Sequence, residues 1–157
     1  MDVKNKRVVV TGAASGIGKA LCEAFHEADA QSIVAVDMNL DGAQETADSV
    51  NGIAVQANVG IEKDIIDVIQ KADEHAGGTD IFCSNAGIGG VPGFFEVEAS
   101  DWQNIWDVNV QSHIFAAKHV LPQMIERGEG YLVNTSSAAG LLTQLGAAGY
   151  SVTKAAA

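Results

Sequence analysis

Cysteine, proline and positive charge are all scarce in this chain, and each shortage closes off a class of protein. The two cysteines, Cys22 and Cys83, stand apart, one in a run expected to be helix and one in a run expected to be strand. They offer neither a disulfide framework nor a metal-ligand spacing, and such cysteines usually behave as small buried hydrophobes. Two prolines in 157 residues leave little room for a flexible linker, and no composition break marks a boundary, so one domain over 1–157 is expected. Nine basic residues against twenty acidic ones give a net charge of −11. That balance argues against a non-specific nucleic-acid binder and against docking on an anionic membrane. It is silent on which small molecule could bind. No long apolar run follows the charged N-terminus before Gly12, so neither a signal peptide nor a membrane span is expected, and the cytoplasm is the default compartment. His26, His75, His113 and His119 show no ligand spacing with cysteines or carboxylates, so surface or packing roles are expected and no metal.

What the chain does have is a regular alternation of short apolar runs and amphipathic stripes. Arg7 to Thr11, Ser32 to Asp37, Ile53 to Gln56, Asp80 to Asn85 and Tyr131 to Ser136 read as strands. Between them, helical stripes recur, such as Ile17, Leu21, Ala24, Phe25 and Ala28, or Ile61, Ile65, Val68, Ile69 and Ala72. Ser100-x-x-Gln103 is a capping-box pattern that would open a long helix, with Asn109 inside it, Pro122 kinking or loosening its last turn, and Gly128 ending it. Strand followed by helix throughout implies right-handed crossovers, hence an α/β fold with a doubly wound, Rossmann-like parallel sheet of five strands. In such a fold the ligand crevice lies beyond the strand C-terminal ends.

All the motifs except Asn109 and the Tyr150–Lys154 pair gather at those ends. Thr11-Gly12-Ala13-Ala14-Ser15-Gly16-Ile17-Gly18 joins the first strand to the first helix, where backbone N–H groups and the helix dipole can receive a pyrophosphate. Its spacing is G-x-x-x-G-x-G, and the plainer reading is a tight turn with glycines placed for packing. Asp37 lies nineteen residues after Gly18, near the distance expected of a carboxylate that binds the adenosine ribose. It would repel a 2′-phosphate, which neither Ser15 nor Met38 could offset, so NAD is favoured over NADP; a solvated aspartate capping the next helix is the alternative. Asn58-Val59 and Asn85-Ala86-Gly87 close the third and fourth strands. Tyr150 and Lys154, four residues apart, share one face of a helix. A phenol is a poor base at neutral pH, and a nearby ammonium in a partly dry cleft would stabilise the phenolate. Ser137 lies thirteen residues before Tyr150.

With these residues in place the whole chain resembles the short-chain dehydrogenase/reductases. The resemblance implies that Tyr150 is the acid/base and that Ser137, the second serine of its pair, orients and polarises the substrate carbonyl. It implies that Lys154 binds the nicotinamide ribose and assists Tyr150, and that Asn109 holds a water relaying protons to Lys154. On the residues alone, Asn109 reads equally as a satisfied buried amide. NAD would lie along Gly12, Ser15, Gly16, Ile17 and Gly18, with Asp37, Asn58 and Val59 on its adenosine side. Asn85, Ala86 and Gly87 would flank it, Thr11 would tie that segment to the glycine turn, and Tyr150 and Lys154 would meet the reacting end. The implied activity is NAD-dependent interconversion of a secondary alcohol and a ketone or aldehyde. The alternative is a dinucleotide-binding module, or an incomplete fragment, without turnover.

Two departures from the family pattern stand out. Asn58 occupies a position that is usually aspartate, and an amide both donates and accepts at the adenine edge where a carboxylate only accepts. The chain also stops at Ala157, just past Lys154, so it is expected to be C-terminally incomplete relative to the family. On that expectation the fifth strand is an unprotected sheet edge, and the last helix is too short to persist by propensity. The 157 residues by themselves would then not make a complete stable monomer, and the full-length form is expected to be a homo-oligomer, dimer or tetramer. Trp102 and Trp106 read as core or subunit contact, and Phe94-Phe95 and Leu141-Leu142 as pocket lining or loop burial.

Overall fold

The computed structural model describes residues 2–90, 95, 97–142 and 145–157; Phe94, one of the apolar loop candidates, lies outside them. Five strands, β1 (Arg7–Thr11), β2 (Ser32–Asp37), β3 (Ile53–Gln56), β4 (Ile81–Ser84) and β5 (Tyr131–Asn134), form one sheet in the order β3-β2-β1-β4-β5. Every neighbouring pair is parallel. Helices α1 (Gly16–Glu27), α2 (Leu40–Ser49), α3 (Glu62–Ala76), α4 (Ala99–Trp106), α5 (Ser112–Arg127) and α6 (Ala148–Ala156) accompany them. This is the doubly wound α/β sheet that the alternating pattern predicts.

Side chains alternate across the pleat, so each strand supplies two cores. Val8, Val10, Ile33, Ala35, Ile81 and Cys83 pack with Cys22 of α1 and Ala47 of α2. Val9, Val34, Val36, Val55 and Phe82 pack with Ile65, Val68 and Ile69 of α3 and Ala116, Val120 and Met124 of α5. A sheet covered on both faces explains why the strands read as unbroken apolar runs. Burial pushes the thiols of Cys22 and Cys83 up to about 12, so both behave as inert core atoms. Among the described residues, no helix is long and apolar enough to cross a membrane.

The strand order decides where a ligand can go. From β1 the chain winds one way through β2 and β3, then returns to place β4 and β5 on the other side. The crevice of such a sheet opens at the switch point between β1 and β4, beyond the strand C-terminal ends.

Several local expectations are corrected. The capping box before the long helix is made by Glu98 and Asp101, not Ser100 and Gln103: the Asp101 carboxylate accepts from the Glu98 N–H at 3.0 Å and the Glu98 side chain caps the Asp101 N–H. A carboxylate pair performs the same reciprocal capping and suits the positive end of the helix dipole. The long helix is interrupted at Asp107–Gln111 by a π-helical stretch, where the Ser112 N–H reaches back five residues to the Asp107 carbonyl. Helix α5 runs through Pro122 to Arg127 and Gly128 ends it, as the sequence predicts. The fourth strand is Ile81–Ser84 and the fifth ends at Asn134, one or two residues inside the expected bounds.

An ion pair closes the opposite end of the sheet. Arg7 at the start of β1 donates to Asp80 from its backbone N–H at 3.0 Å, from Nε at 2.8 Å and from Nη2. Arg127 of α5 brings a second cation to the same carboxylate at 3.5 Å. Asp80 is 6% exposed, and the hydrogen-bonded guanidinium of Arg7 holds its carboxyl below the usual carboxylate range. The unfolded chain therefore binds the Asp80 proton more readily than the native one. This stabilisation is complete above the ordinary aspartate value of about 4 and is lost as pH falls through the depressed native value. Asp80→Asn is expected to cost about 3 kcal/mol at neutral pH and to flatten the acid limb of the stability curve. Urea unfolding of both forms between pH 7 and about 3 checks this.

Candidate active site

Three strand ends meet through one hydroxyl and one amide. Thr11 Oγ1 donates to the Cys83 carbonyl at 3.2 Å and accepts from the Asn85 and Ala86 N–H groups at 3.0 and 3.1 Å. Asn85 Nδ2 returns a bond to the Thr11 carbonyl at 3.0 Å, and its Oδ1 accepts from Thr135 Oγ1 at 3.0 Å. Because adjacent parallel strands leave unpaired groups at their ends, this network fixes the floor of the crevice across β1, β4 and the residue after β5.

The glycine turn stands on that floor. Gly12 has φ +71, and a Cβ there would sit 2.9 Å from Ala86 Cα. A Cβ at Gly18 would collide with the Gly12 carbonyl and come within 2.9 Å of Asn85 Nδ2. Both glycines thus serve packing, while the space beside Gly16 is open. Thr46 Oγ1 secures the turn from α2 by donating to the Ala13 carbonyl at 2.8 Å. Ser15 is the N-cap of α1 but makes no capping hydrogen bond, so its hydroxyl and the first N–H groups of α1 are not satisfied by one another. Ile17, in the first turn of that helix, is exposed.

Asp37 ends β2 beside the turn. Its Oδ2 accepts from the Ala14 N–H and its Oδ1 from the Asn39 N–H, both at 3.0 Å, which leaves lone pairs on each oxygen. Asn39, rather than Asp37, caps α2 through Gly42 at 3.2 Å, so the capping alternative for Asp37 does not hold. Asn58 Oδ1 accepts from Gly60 at 3.0 Å, and its N–H donates to Asp64 at 2.9 Å. The side-chain carbonyl is used in the turn and the Nδ2 donors remain.

Tyr150 and Lys154 reach the crevice from α6. Lys154 is 4% exposed; its Nζ donates to the Thr135 carbonyl at 2.7 Å and lies 6.0 Å from the Tyr150 ring centroid. Burial lowers the pKa of this ammonium. Three hydrogen bonds tie helix α6 to its surroundings. Lys154 Nζ binds Thr135, Ser136 Oγ donates to the Lys154 carbonyl at 3.1 Å, and Asn109 Nδ2 donates to Thr153 Oγ1 at 3.1 Å.

Asn109 sits in the π-helical stretch and is wholly buried. Its Oδ1 accepts from the Ile88 N–H at 2.8 Å and its Nδ2 donates to the Ile88 carbonyl at 2.9 Å as well as to Thr153. Both amide N–H groups are engaged.

A cleft of about 480 Å³ is lined by Gly12, Ser15, Gly16, Ile17, Gly18, Asp37, Asn85, Ala86, Gly87, Thr135, Tyr150 and Lys154, with Ile88 and Gly89. A smaller pocket of about 140 Å³ adjoins it, sharing Gly12, Asp37, Ala86, Gly87 and Ile88 and adding Met38, Ala57, Asn58, Val59 and Val108. Ser137 is not in either lining. It is the N-cap of a short 3₁₀ turn, Ala138–Gly140, where its Oγ accepts from Ala139 at 3.2 Å. Leu141 and Leu142 are exposed. Among the described residues no group of three His, Cys, Asp or Glu side chains is placed to hold a metal. A two-part groove with a strand-end carboxylate at one side, an open glycine turn midway and a buried lysine at the other fits a dinucleotide.

The family model for short chain dehydrogenases matches residues 6–157. The chain belongs to that family. An uncharacterized oxidoreductase of Staphylococcus aureus is 34% identical over 157 residues, covering 97% of this chain and 67% of its own length. Glucose 1-dehydrogenase 2 of Bacillus subtilis is 34% identical over 143 residues, covering 87% of this chain and 55% of its own. A short-chain dehydrogenase/reductase from Burkholderia phymatum, solved in complex with NAD, superposes with TM-score 0.94 at 28% identity, covering 99% of this chain and 57% of that one. The chain spans between about half and two thirds of the length of these relatives.

Within this short-chain dehydrogenase site, sequence reasoning missed Thr135, Thr153, Thr46 and Ile88. Thr135 follows the last strand and could have been found by the strand-end rule, and Thr153 lies between Tyr150 and Lys154. Ile88 acts through its backbone, which leaves no trace in residue identity. The close contact at Gly18 gives a direct test. Gly18→Ala is expected to destabilise the protein by about 2 kcal/mol or more, because Gly12 cannot retreat without moving Asn85. Gly16→Ala, in open space at φ +53, should cost only the left-handed strain of about 1 kcal/mol. Urea unfolding of the two variants side by side checks the difference.

Proposed function

We propose that this chain forms the cofactor-binding and catalytic region of an NAD-dependent oxidoreductase that interconverts an alcohol and the corresponding carbonyl. The observation that carries the reading is a shared cleft: the glycine turn, Asp37, Tyr150 and Lys154 all line it. Membership of the short-chain dehydrogenases and the NAD-bound relative from Burkholderia phymatum support it.

The residues divide the task by position. The open turn at Gly16, the uncapped start of α1 and Ser15 would take the pyrophosphate, since N–H groups and helix dipole both favour an anion there. Asp37 would accept the adenosine ribose hydroxyls on its spare lone pairs and repel a 2′-phosphate. Asn58 and Val59 in the smaller pocket would meet the adenine. Lys154 would hold the nicotinamide ribose. When bound, the nicotinamide accepts or returns a hydride; the protein contributes placement and proton transfer.

In the oxidation direction, Tyr150 Oη removes the proton of the substrate hydroxyl. The Lys154 ammonium, kept out of water, stabilises the phenolate more strongly than an exposed lysine could. Ser137 Oγ accepts from Ala139 and keeps its own O–H to donate to the substrate oxygen. Asn109 acts here by holding Ile88 and Thr153. The cytoplasm is the proposed compartment, in keeping with two free, buried cysteines. A homo-oligomer is proposed for the full-length protein, supported by the exposed stripe of Trp106, Ile114, Leu121 and Ile125.

Titration with each cofactor tests the assignment of Asp37. NAD is expected to bind at least about tenfold more tightly than NADP, the size of one like-charge contact of about 1.4 kcal/mol. Asp37→Ala should narrow the gap, and equal affinities in the parent protein would reject the assignment. In the full-length polypeptide, Tyr150→Phe should lower kcat by about 10²-fold or more while cofactor still binds. Lys154→Met should cost both turnover and cofactor affinity. Near-normal turnover of Tyr150→Phe at saturating substrate would place the base elsewhere.

A further inference from the structure

Helix α6 carries Tyr150 and Lys154 but has only nine residues, too few to hold its own orientation. On a helix of 100° per residue, Thr153 and Lys154 flank the direction in which Tyr150 points. Thr153 is wholly buried. Its hydroxyl accepts from Asn109 Nδ2 at 3.1 Å, and its proton lies within reach of the Gly149 carbonyl at 2.9 Å and the Tyr150 carbonyl at 3.1 Å. A hydroxyl bonded only to its own preceding turn would tie α6 to nothing. The bond from Asn109 instead links the helix to the π-helical stretch and, through the same amide, to Ile88 at the edge of the cofactor cleft.

We propose that Thr153 is a positioning residue for the Tyr150–Lys154 pair, its hydroxyl setting the rotation of α6 against the Asn109 amide. This rests on the proposed function and deepens it. Rotation about the helix axis moves Tyr150 Oη and Lys154 Nζ together across the cleft. The other two bonds to α6 act at Lys154, through its Nζ and its carbonyl. Thr153 is the side chain that opposes them from the Asn109 side, so α6 is gripped on both sides of the Tyr150 direction. Loss of the hydroxyl removes one grip and leaves an Asn109 N–H unpaired in a buried place.

Thr153→Val keeps the shape and removes the hydroxyl; Thr153→Ser keeps the hydroxyl. In the full-length polypeptide, Thr153→Val is expected to lower kcat about tenfold, as a small misplacement of reacting groups does, with substrate KM little changed. It should also weaken NADH binding, read by fluorescence titration, about fivefold, within the usual range for one lost contact. Thr153→Ser should restore both to within about twofold. In a Lys154→Met background, Thr153→Val should leave NADH affinity unchanged, because the effect passes through Lys154. Silent Thr153→Val, a Thr153→Ser variant as impaired as Thr153→Val, or an equal loss in the Lys154→Met background would each overturn the proposal. Should Thr153→Val fail to fold, Thr153→Cys, a weaker acceptor of similar size, carries the same expectations at smaller amplitude. If the parent protein binds no NADH, or Tyr150→Phe turns over normally, the proposed function fails and this inference with it. If those controls behave and the Thr153 series does not, only this inference falls.

Discussion

A side-chain amide shut away from water has to find partners inside the protein, because each polar group left unpaired costs about 1–3 kcal/mol. Asn109 meets that demand with three bonds, two to the backbone of Ile88 and one to Thr153. Those partners belong to separate parts of the chain, the segment after β4 and helix α6, and neither has a sheet ladder or a long helix to hold it. The amide therefore joins the wall of the cleft to the helix that carries Tyr150 and Lys154. Gly87 is part of the same junction: a Cβ there would stand 3.2 Å from Asn109 Oδ1 and 3.4 Å from Lys154 Nζ. The π-helical turn that carries Asn109 fits this role, since such turns arise where a helix is made to present a residue that regular geometry would place elsewhere.

The two ends of the sheet do different work. At the strand C-terminal ends, hydroxyls and amides form the bonds: Thr11, Asn85, Thr135 and Thr46 fix backbone segments without adding charge to the cleft. Among the described lining residues its charges are Asp37 on one side and Lys154 on the other. At the opposite end, structural stability rests on charge, with Arg7 and Arg127 around the buried Asp80. A carboxylate so placed contributes by not being abandoned, since breaking a buried pair leaves an uncompensated ion. The separation keeps the acid-sensitive carboxylate at the end of the sheet away from the groove.

Burial also shapes the chemistry of Lys154. Its ammonium is desolvated and tied to one carbonyl oxygen, that of Thr135. A cation with few competing partners acts more strongly on whatever negative charge forms nearby. His113, one turn further along from Asn109, is buried too, and burial lowers its pKa while Asn134 favours the charged ring. The sequence left it a surface or a packing role, and its burial makes it the latter.

The sequence by itself determined the sheet, its parallel sense and the side on which a ligand would lie. Runs such as Val8–Val10 and Ile33–Val36 are buried on both faces, so their apolar content is dictated locally and read locally. It also brought the glycine turn, Asp37 and Asn85–Gly87 to one edge, since strand ends in a doubly wound fold converge whatever the detail of the loops. What only the tertiary structure decided are the bonds between distant segments. Asn109 became a clamp on Ile88 because hydrogen bonds to backbone depend on where another segment passes. A side chain's type is written in the sequence, but the partner that satisfies it is chosen when the chain folds back upon itself.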